Sequence, residues 1–233
     1  MQYLGNKLRH EQKYYINQRE YLLLKNSLKH LMKRDEFSDK DGCYHVRSLY
    51  FDDVYDTSLY EKNYGVFSRQ KYRIRIYNRS DNVIKLECKS KYGEFISKES
   101  KNISKDNYHA LMNNDISFME KEFGLLNKFY TRNACTRLNP KVIVDYEREA
   151  YVIPAGDVRI TFDKDLQAGF NTNDIFDNNV STVNVLENSL IVLEIKYNDF
   201  IPAYLQSILN LSSHTRCAIS KYVMCRVLKN NIF

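Results

Sequence analysis

Charged side chains occupy every second position in two neighbouring segments, Lys71-Tyr72-Arg73-Ile74-Arg75-Ile76-Tyr77 and Lys85-Leu86-Glu87-Cys88-Lys89-Ser90-Lys91. In extended backbone, successive side chains point to opposite faces. Lys71, Arg73 and Arg75 therefore share one face, and Tyr72, Ile74 and Ile76 share the other. Lys85, Glu87, Lys89 and Lys91 likewise oppose Leu86 and Cys88. Like charges stacked on one strand face repel one another unless an anion sits among them, so this pattern asks for a multiply charged anion.

The pattern recurs along the chain. Glu11 and Lys13 alternate with Gln12 and Tyr14, and Tyr146 and Arg148 share a face of the segment 142–152. Arg159, Thr161 and Asp163 oppose Val158, Ile160 and Phe162, and Glu194 and Lys196 oppose Leu193 and Ile195. Any one strand of this kind reads as an ordinary sheet with its polar face in water. Repeated over many strands rich in Arg, Lys and Glu, the pattern points to one basic cavity that also holds a few glutamates.

Periodicity and caps predict strands over 9–16, 44–52, 68–78, 83–91, 95–103, 141–154, 158–165 and 189–197, with a hairpin turn over 79–82. Helices are expected over 18–32 behind an Asn17 cap, 105–112 behind Ser104, 117–130, 202–211 and 216–228. A helical turn is expected over 59–63, closed by Gly65, and loops over 33–42 and 167–184. Strands interrupted by helices, without βαβ alternation, define an antiparallel α+β fold. About eight such strands can close into a barrel. A charged lumen would leave apolar outer faces for helices to cover, the inverse of an ordinary small barrel.

A length of 233 residues fits one large domain or two small ones, and 7 Gly and 3 Pro leave little room for linkers. A net charge of +6 favours an anionic partner. Basic clusters woven into strands suit a pocket better than a nucleic-acid-binding arm. The 5 cysteines are scattered without a CxxC pair, which excludes a zinc site and a disulfide framework and fits a reduced, cytoplasmic protein. The segment 1–13 lacks an apolar leader core, and no apolar run approaches the ~20 residues of a membrane span. There is no P-loop and no GxGxxG, and the histidines have no ligand spacing.

Phosphoryl transfer needs positioning and charge neutralisation more than covalent chemistry. Arg forks grip phosphate oxygens in pairs, and Lys acts as a point charge. Lys13, Arg73, Arg75, Lys89, Lys98, Arg148 and Arg159 are the candidates to hold a triphosphate, with Lys71 and Lys196 on the same faces. Glu194 is the first candidate ligand for Mn²⁺ or Mg²⁺, with Glu87 and Glu11 behind it. Glu194 paired with Lys196 or an Arg, and Glu87 paired with a lumen Arg, are the structural alternatives.

The runs Arg9-His10-Glu11-Gln12-Lys13-Tyr14-Tyr15-Ile16, Val46-Arg47-Ser48-Leu49-Tyr50-Phe51-Asp52, Tyr60-Glu61-Lys62 with Gly65, and Arg69-Gln70-Lys71-Tyr72-Arg73-Ile74-Arg75-Ile76-Tyr77 resemble the VTC (vacuolar transporter chaperone) polyphosphate polymerase domain. Leu86-Glu87-Cys88-Lys89, Ser97-Lys98-Glu99, Tyr146-Glu147-Arg148, Arg159-Ile160-Thr161-Phe162-Asp163, Leu193-Glu194-Ile195-Lys196 and Ser220-Lys221-Tyr222 continue the match in order. The resemblance implies one domain over 1–233 in the triphosphate tunnel metalloenzyme (CYTH-like) superfamily, an eight-stranded antiparallel tunnel with charged walls. It implies transfer of the ATP γ-phosphate to inorganic polyphosphate with a divalent metal. It assigns triphosphate contacts to Lys13, Arg73, Arg75, Lys89, Arg148 and Arg159 beside Tyr146, tunnel-lining roles to Lys98 and Lys221, and the metal to Glu194. Two departures stand out. Arg9 replaces the first Glu of the ExExK strand found in the hydrolase branch, which weakens a second metal site and the triphosphatase reading. The inositol-phosphate-sensing SPX domain and the membrane spans of the eukaryotic polymerase are absent from the sequence, so their regulation and translocation are not expected. A tunnel triphosphatase and a non-catalytic polyphosphate-binding module are the alternatives.

Overall fold

The computed structural model describes residues 2–3, 6–39, 41–187 and 189–232. Met1, Leu4, Gly5, Lys40, Asn188 and Phe233 fall within the expected domain, and some within the N-terminal segment or the 33–42 loop; they lie outside the described residues. Eight strands carry the fold: β1 (Arg9–Asn17), β2 (Cys43–Asp52), β3 (Ser68–Tyr77), β4 (Ser80–Tyr92), β5 (Phe95–Ile103), β6 (Asn139–Ile153), β7 (Val158–Gly169) and β8 (Leu190–Tyr197). They pair antiparallel in the order β1-β5-β4-β3-β2-β6-β7-β8, and β8 returns to β1, closing a ring. The seam is thin: β1 and β5 pair only at Arg9–Ile96 and His10–Phe95. His10 reinforces it, with its ring centroid 4.8 Å from Phe95 and 4.7 Å from Tyr197.

The outer faces are mainly apolar, as the alternation requires, apart from the buried Arg47–Asp145 pair and Glu149 on β2 and β6. Ile74, Ile76, Leu86 and Cys88 pack beneath α3 (Lys105–Met112) and α4 (Leu125–Thr136) through Tyr108, Leu111, Leu126 and Phe129. Tyr14, Ile160, Phe162, Leu193 and Ile195 pack beneath α1 (Gln18–Leu28) and α5 (Ala203–Leu209). Each buried aliphatic or aromatic side chain here contributes about 1.5–3 kcal/mol. A third apolar cluster lies on the other face. Tyr44, Val46 and Tyr50 of β2 and Val142, Val144, Tyr146 and Ala150 of β6 share the charged parity, and they pack against Tyr222 and Cys225 of α6 (Lys221–Ile232). The last helix thus fills the β2–β6 side of the lumen.

Local chemistry accounts for the boundaries. Asn17 caps α1 with a reciprocal capping box to Glu20, and Ser104 caps α3. The first helix ends at Leu28 rather than 32, and a short strand, Lys33–Arg34, pairs with Val152 and Tyr151 where a loop was expected. The hairpin turn is Asn78-Arg79, not 79–82; both residues take positive φ (50° and 55°), which suits a tight two-residue turn between twisted strands. The helix expected over 117–130 is broken at Gly124 (φ 69°, ψ −129°) and resumes as α4. β7 runs on to Gly169 because Thr182–Asn184 pairs with it, so the loop begins later than expected. The final helix starts at Lys221 rather than 216, since the Cys217 amide donates to the Lys13 carbonyl at 2.8 Å and holds that stretch against β1. The five cysteines are all free. No helix among the described residues is long and apolar enough to cross a membrane.

Candidate active site

Strand register aligns the charged positions around the ring. Lys13 stands opposite Glu194, Glu194 opposite Thr161, Asp163 opposite Arg148, Arg73 opposite both Glu87 and Tyr50, and Lys89 opposite Lys98 and Lys71. All of these side chains enter the lumen, where they form three linked clusters.

The first spans β1, β4 and β8. Glu11 accepts from Lys89 at 2.6 Å and lies 3.4 Å from Lys13 and 3.9 Å from Lys196. Glu194 pairs with Lys13 at 3.2 Å and with Lys196. Burial alone would favour neutral groups. Against that penalty, Lys13 and Lys89 hold Glu11 down at about 2, and Lys196 and Lys13 hold Glu194 well below the usual carboxylate range. Burial wins at Lys196, which is pushed down to about 7 despite both glutamates.

The second cluster is an arginine pair anchored on Glu87, which is fully buried. Arg73 meets Glu87 at 2.6 Å and donates to the Tyr50 hydroxyl at 2.7 Å. Arg75 lies 3.8 Å from the same carboxylate and donates to Ser48 Oγ (3.0 Å) and the Tyr146 hydroxyl (2.9 Å). Lys98, at the rim, takes the other Glu87 oxygen at 2.9 Å. Burial raises the Tyr50 pKa and Arg73 and Arg75 lower it; the net direction is down.

The third cluster joins β6, β7 and α6. Arg148 grips Asp163 with two bonds, 2.6 and 2.8 Å, and Lys221 meets the same carboxylate at 2.6 Å. The Tyr146 ring floors the assembly, with Arg148 5.2 Å, Lys221 5.1 Å and Arg75 6.0 Å from its centroid. Thr161 Oγ1, fully buried in the same row, has no hydrogen-bond partner among the described residues. Arg159 stands apart. It is opposite Lys196 in register but is held by Asp35 at 2.5 Å and the Tyr44 hydroxyl at 2.9 Å. Lys71 has no carboxylate partner among the described residues. It donates to Ser220 Oγ at 3.0 Å and lies over the Tyr222 ring. Burial, then Lys89, Lys13, Lys62 and Arg69, push its pKa well below the usual lysine value.

The cations of the lumen outnumber its carboxylates, Glu11, Glu87, Asp163 and Glu194. Lys71, Arg73, Lys89 and Lys221 among those cations border a cavity of about 100 Å³, together with Glu11 and Tyr50. A divalent ion of the Mg²⁺ kind is bound through one or two carboxylates, with phosphate oxygens and water completing its shell. Glu194 and Glu11 fit that demand, since both touch Lys13 and Lys196 and so face the same space. Both oxygens of Glu87 are engaged by Arg73 and Lys98, which makes it the anchor of the arginine pair. Among the described residues no three Asp, Glu, His or Cys side chains cluster as a closed metal cage.

The family model for the VTC domain matches residues 8–228. The chain belongs to the VTC-domain family. No curated protein matches it. Among solved structures it is similar to a Bacillus halodurans protein provisionally named an adenylate cyclase, at 12% identity and TM-score 0.55, covering 93% of this chain and 96% of that one. It is also similar to the PH1819 protein of Pyrococcus horikoshii, at 14% identity and TM-score 0.49, covering 95% and 99%. At such identities the first likeness speaks for the fold alone, a tunnel of ring-bonded strands. VTC and CYTH-like proteins are typically enzymes of phosphate transfer and generally use divalent metal ions.

Sequence reasoning passed over several partners. Asp163 appeared only as a member of a strand face, Tyr50 and Asp35 were not singled out, and Lys62, Arg69 and Lys91 were left without a role. The alternation signal put Lys91 on the charged face of its strand without giving it a role, and could have found Tyr50 in the same way. Nothing local in the sequence marks Asp35 or Lys62, whose positions depend on tertiary packing.

Proposed function

We propose that this VTC domain is a metal-dependent polyphosphate polymerase. The terminal oxygen of a polyphosphate chain attacks the γ-phosphorus of ATP, the bond from that phosphorus to the β–γ bridging oxygen breaks, and ADP leaves as the chain grows by one phosphate. The observation that carries this reading is the excess of buried cations over carboxylates around the lumen cavity. Like charges held in low dielectric lower their energy only by gaining an anion or losing a proton, and a polyanion supplies charge to all of them at once.

Arg73, Arg75 and Arg148 are the forks for non-bridging phosphate oxygens, each already aimed by a buried carboxylate. Lys13, Lys89, Lys196 and Lys221 supply point charges that balance the equatorial oxygens as charge shifts in the transition state. Tyr146 fixes the orientation of Arg75. Glu194, with Glu11 beside it, would hold Mn²⁺ or Mg²⁺, which supplies charge neutralisation to the leaving diphosphate. Lys98, at the rim, and Lys71, in the cavity wall, are further contacts, and Arg159 reaches substrate only by releasing Asp35. A hydrolase would need a water held in line for attack. The replacement of the first ExExK glutamate by Arg9 leaves one carboxylate fewer near the lumen for such work and favours the polymerase.

Purified protein incubated with ATP, Mn²⁺ and a short polyphosphate primer tests the reading. The expected result is ADP formation matched one for one by phosphate residues added to the primer. ADP formation with only free phosphate appearing would replace the polymerase by the hydrolase.

A further inference from the structure

Arg159 shares a strand face with Thr161 and Asp163 and stands opposite Lys196, yet its partner differs in kind from those of the other lumen arginines. Arg73, Arg75 and Arg148 are aimed by carboxylates of the ring itself, Glu87 and Asp163. Arg159 is met by Asp35, which belongs to a segment outside the ring. Backbone bonds pin that segment. Lys33–Arg34 pairs with Val152 and Tyr151, and the Asp35 amide donates to the Ala150 carbonyl at 3.0 Å. Asp35 Oδ1 accepts from the Phe37 amide at 3.1 Å, which closes a turn. The far end of β6 thus brings a buried carboxylate against Arg159.

The contact is of an exchangeable kind. Asp35 Oδ2 lies 2.5 Å from Arg159 Nη2, but it makes no aligned hydrogen bond among the described residues. The one aligned side-chain bond of Arg159 among them goes to the Tyr44 hydroxyl, at 2.9 Å. Arg148, by contrast, grips Asp163 through two bonds. Asp52, also buried, spends its oxygens on amides at the start of α2 (Thr57–Asn63) and on the Tyr222 hydroxyl. The Arg159 side chain is 33% exposed against 9% for Arg148. A phosphate offers a guanidinium more charge and more oxygens than one carboxylate does, so it is the stronger partner for the fork. Tyr44 links Arg159 to the inner site. It stands opposite Arg148, and Arg148 and Arg159 both oppose the burial that raises its pKa.

On the reading that the lumen takes a triphosphate, we propose that Asp35 is an internal competitor for it. Asp35 occupies Arg159 in the free protein, and the ligand gains this arginine only by displacing the carboxylate. Asp35 therefore sets how tightly the triphosphate binds. A protein whose competent arrangement is only part of its population binds more weakly by that fraction, and neutralising Asp35 removes the reduction. The competition is the same whether the phosphoryl acceptor is polyphosphate or water.

The test measures affinity for a non-hydrolysable ATP analogue with Mg²⁺ by calorimetry, on the full chain, on Asp35→Asn, on Arg159→Gln and on the two substitutions combined. Asn keeps the oxygen that accepts from Phe37 and removes the charge. Asp35→Ser, which also keeps an acceptor, replaces it if circular dichroism shows Asp35→Asn to be unfolded. Asp35→Asn is expected to bind about fivefold tighter than wild type, the scale of one partly exposed ion pair. The combined variant is expected to match Arg159→Gln alone, because without the arginine the competitor has nothing to hold. Unchanged or weaker binding by Asp35→Asn, with wild type binding normally, would overturn the competition and leave the triphosphate reading intact. An equal gain in the absence of Arg159 would overturn it as well, since the effect would then not pass through that arginine. No binding by wild type or by any variant would refute the triphosphate reading and the competition with it.

Discussion

At the scale of single residues, the lumen is a set of buried charges whose individual cost is large and whose pairing is incomplete. Glu194 is the test of the metal assignment. Glu194→Gln keeps shape and hydrogen bonding but removes the charge facing Lys13 and Lys196; turnover is expected to fall by about a hundredfold or more, with the fold retained by circular dichroism. Full activity in that variant would refute the metal role. Lys71 tests the charge excess itself. Its folded pKa lies well below the usual lysine value, through burial and then through Lys89 and Lys13. The unfolded chain therefore binds more protons between that lowered value and the ordinary one, so stability rises with pH across that window and the penalty is complete below it. Lys71→Gln should remove that rise and leave the protein at least as stable as wild type near neutral pH. A thermal-melting series from pH 6 to 10 reads this directly, and parallel curves for the two proteins would contradict it.

Among the elements, α6 decides whether the ring of strands becomes a site. Asp52, at the end of β2, fastens it. One Asp52 oxygen accepts from the amides of Asp53 (3.0 Å) and Ser58 (2.9 Å), and the other accepts from the Leu59 amide (3.1 Å) and the Tyr222 hydroxyl (2.6 Å). A second tie joins Arg226 to Asp56 at 2.7 Å. Asp52→Ala strands these donors in a buried place and should cost about 3 kcal/mol. It should also free α6, so Cys225, fully buried in the wild-type lumen, should react with thiol reagents faster than in wild type; unchanged labelling would show that α6 is held by its apolar face alone. The elements themselves were largely legible beforehand. Period-two alternation placed each strand of the ring, and Asn17 and Ser104 marked two helix starts. The misplacements came where distant partners overrode local pattern. Thr182–Asn184 lengthened β7, and the hold of Lys13 on Cys217 delayed α6 to Lys221. Gly124 broke a helix because its backbone takes a conformation that other residues rarely adopt.

For the whole molecule, closure turns alternation into chemistry. A flat sheet with these faces would expose its charges to water and gain little from them. Over most of its circumference the closed ring inverts the usual barrel, with apolar side chains out to the helices and charges in, while on the β2–β6 side α6 packs apolar side chains inside. The charged positions were legible in the sequence because their spacing is local. Their grouping into a Glu11–Glu194 space, an arginine pair on Glu87 and an Asp163 cluster was not, because it follows from which strands meet across the ring. The separation of Arg159 through Asp35 has the same origin, since a residue of the 33–42 segment reaches it only in the folded chain.

The central claim is that the lumen transfers the γ-phosphate of ATP to a growing chain. The most direct measurement incubates the purified protein with γ-labelled ATP and Mn²⁺ and resolves the products on a gel. A long labelled ladder that an exopolyphosphatase digests is the predicted result. Label released only as free phosphate would contradict it and assign the same cage of charges to hydrolysis.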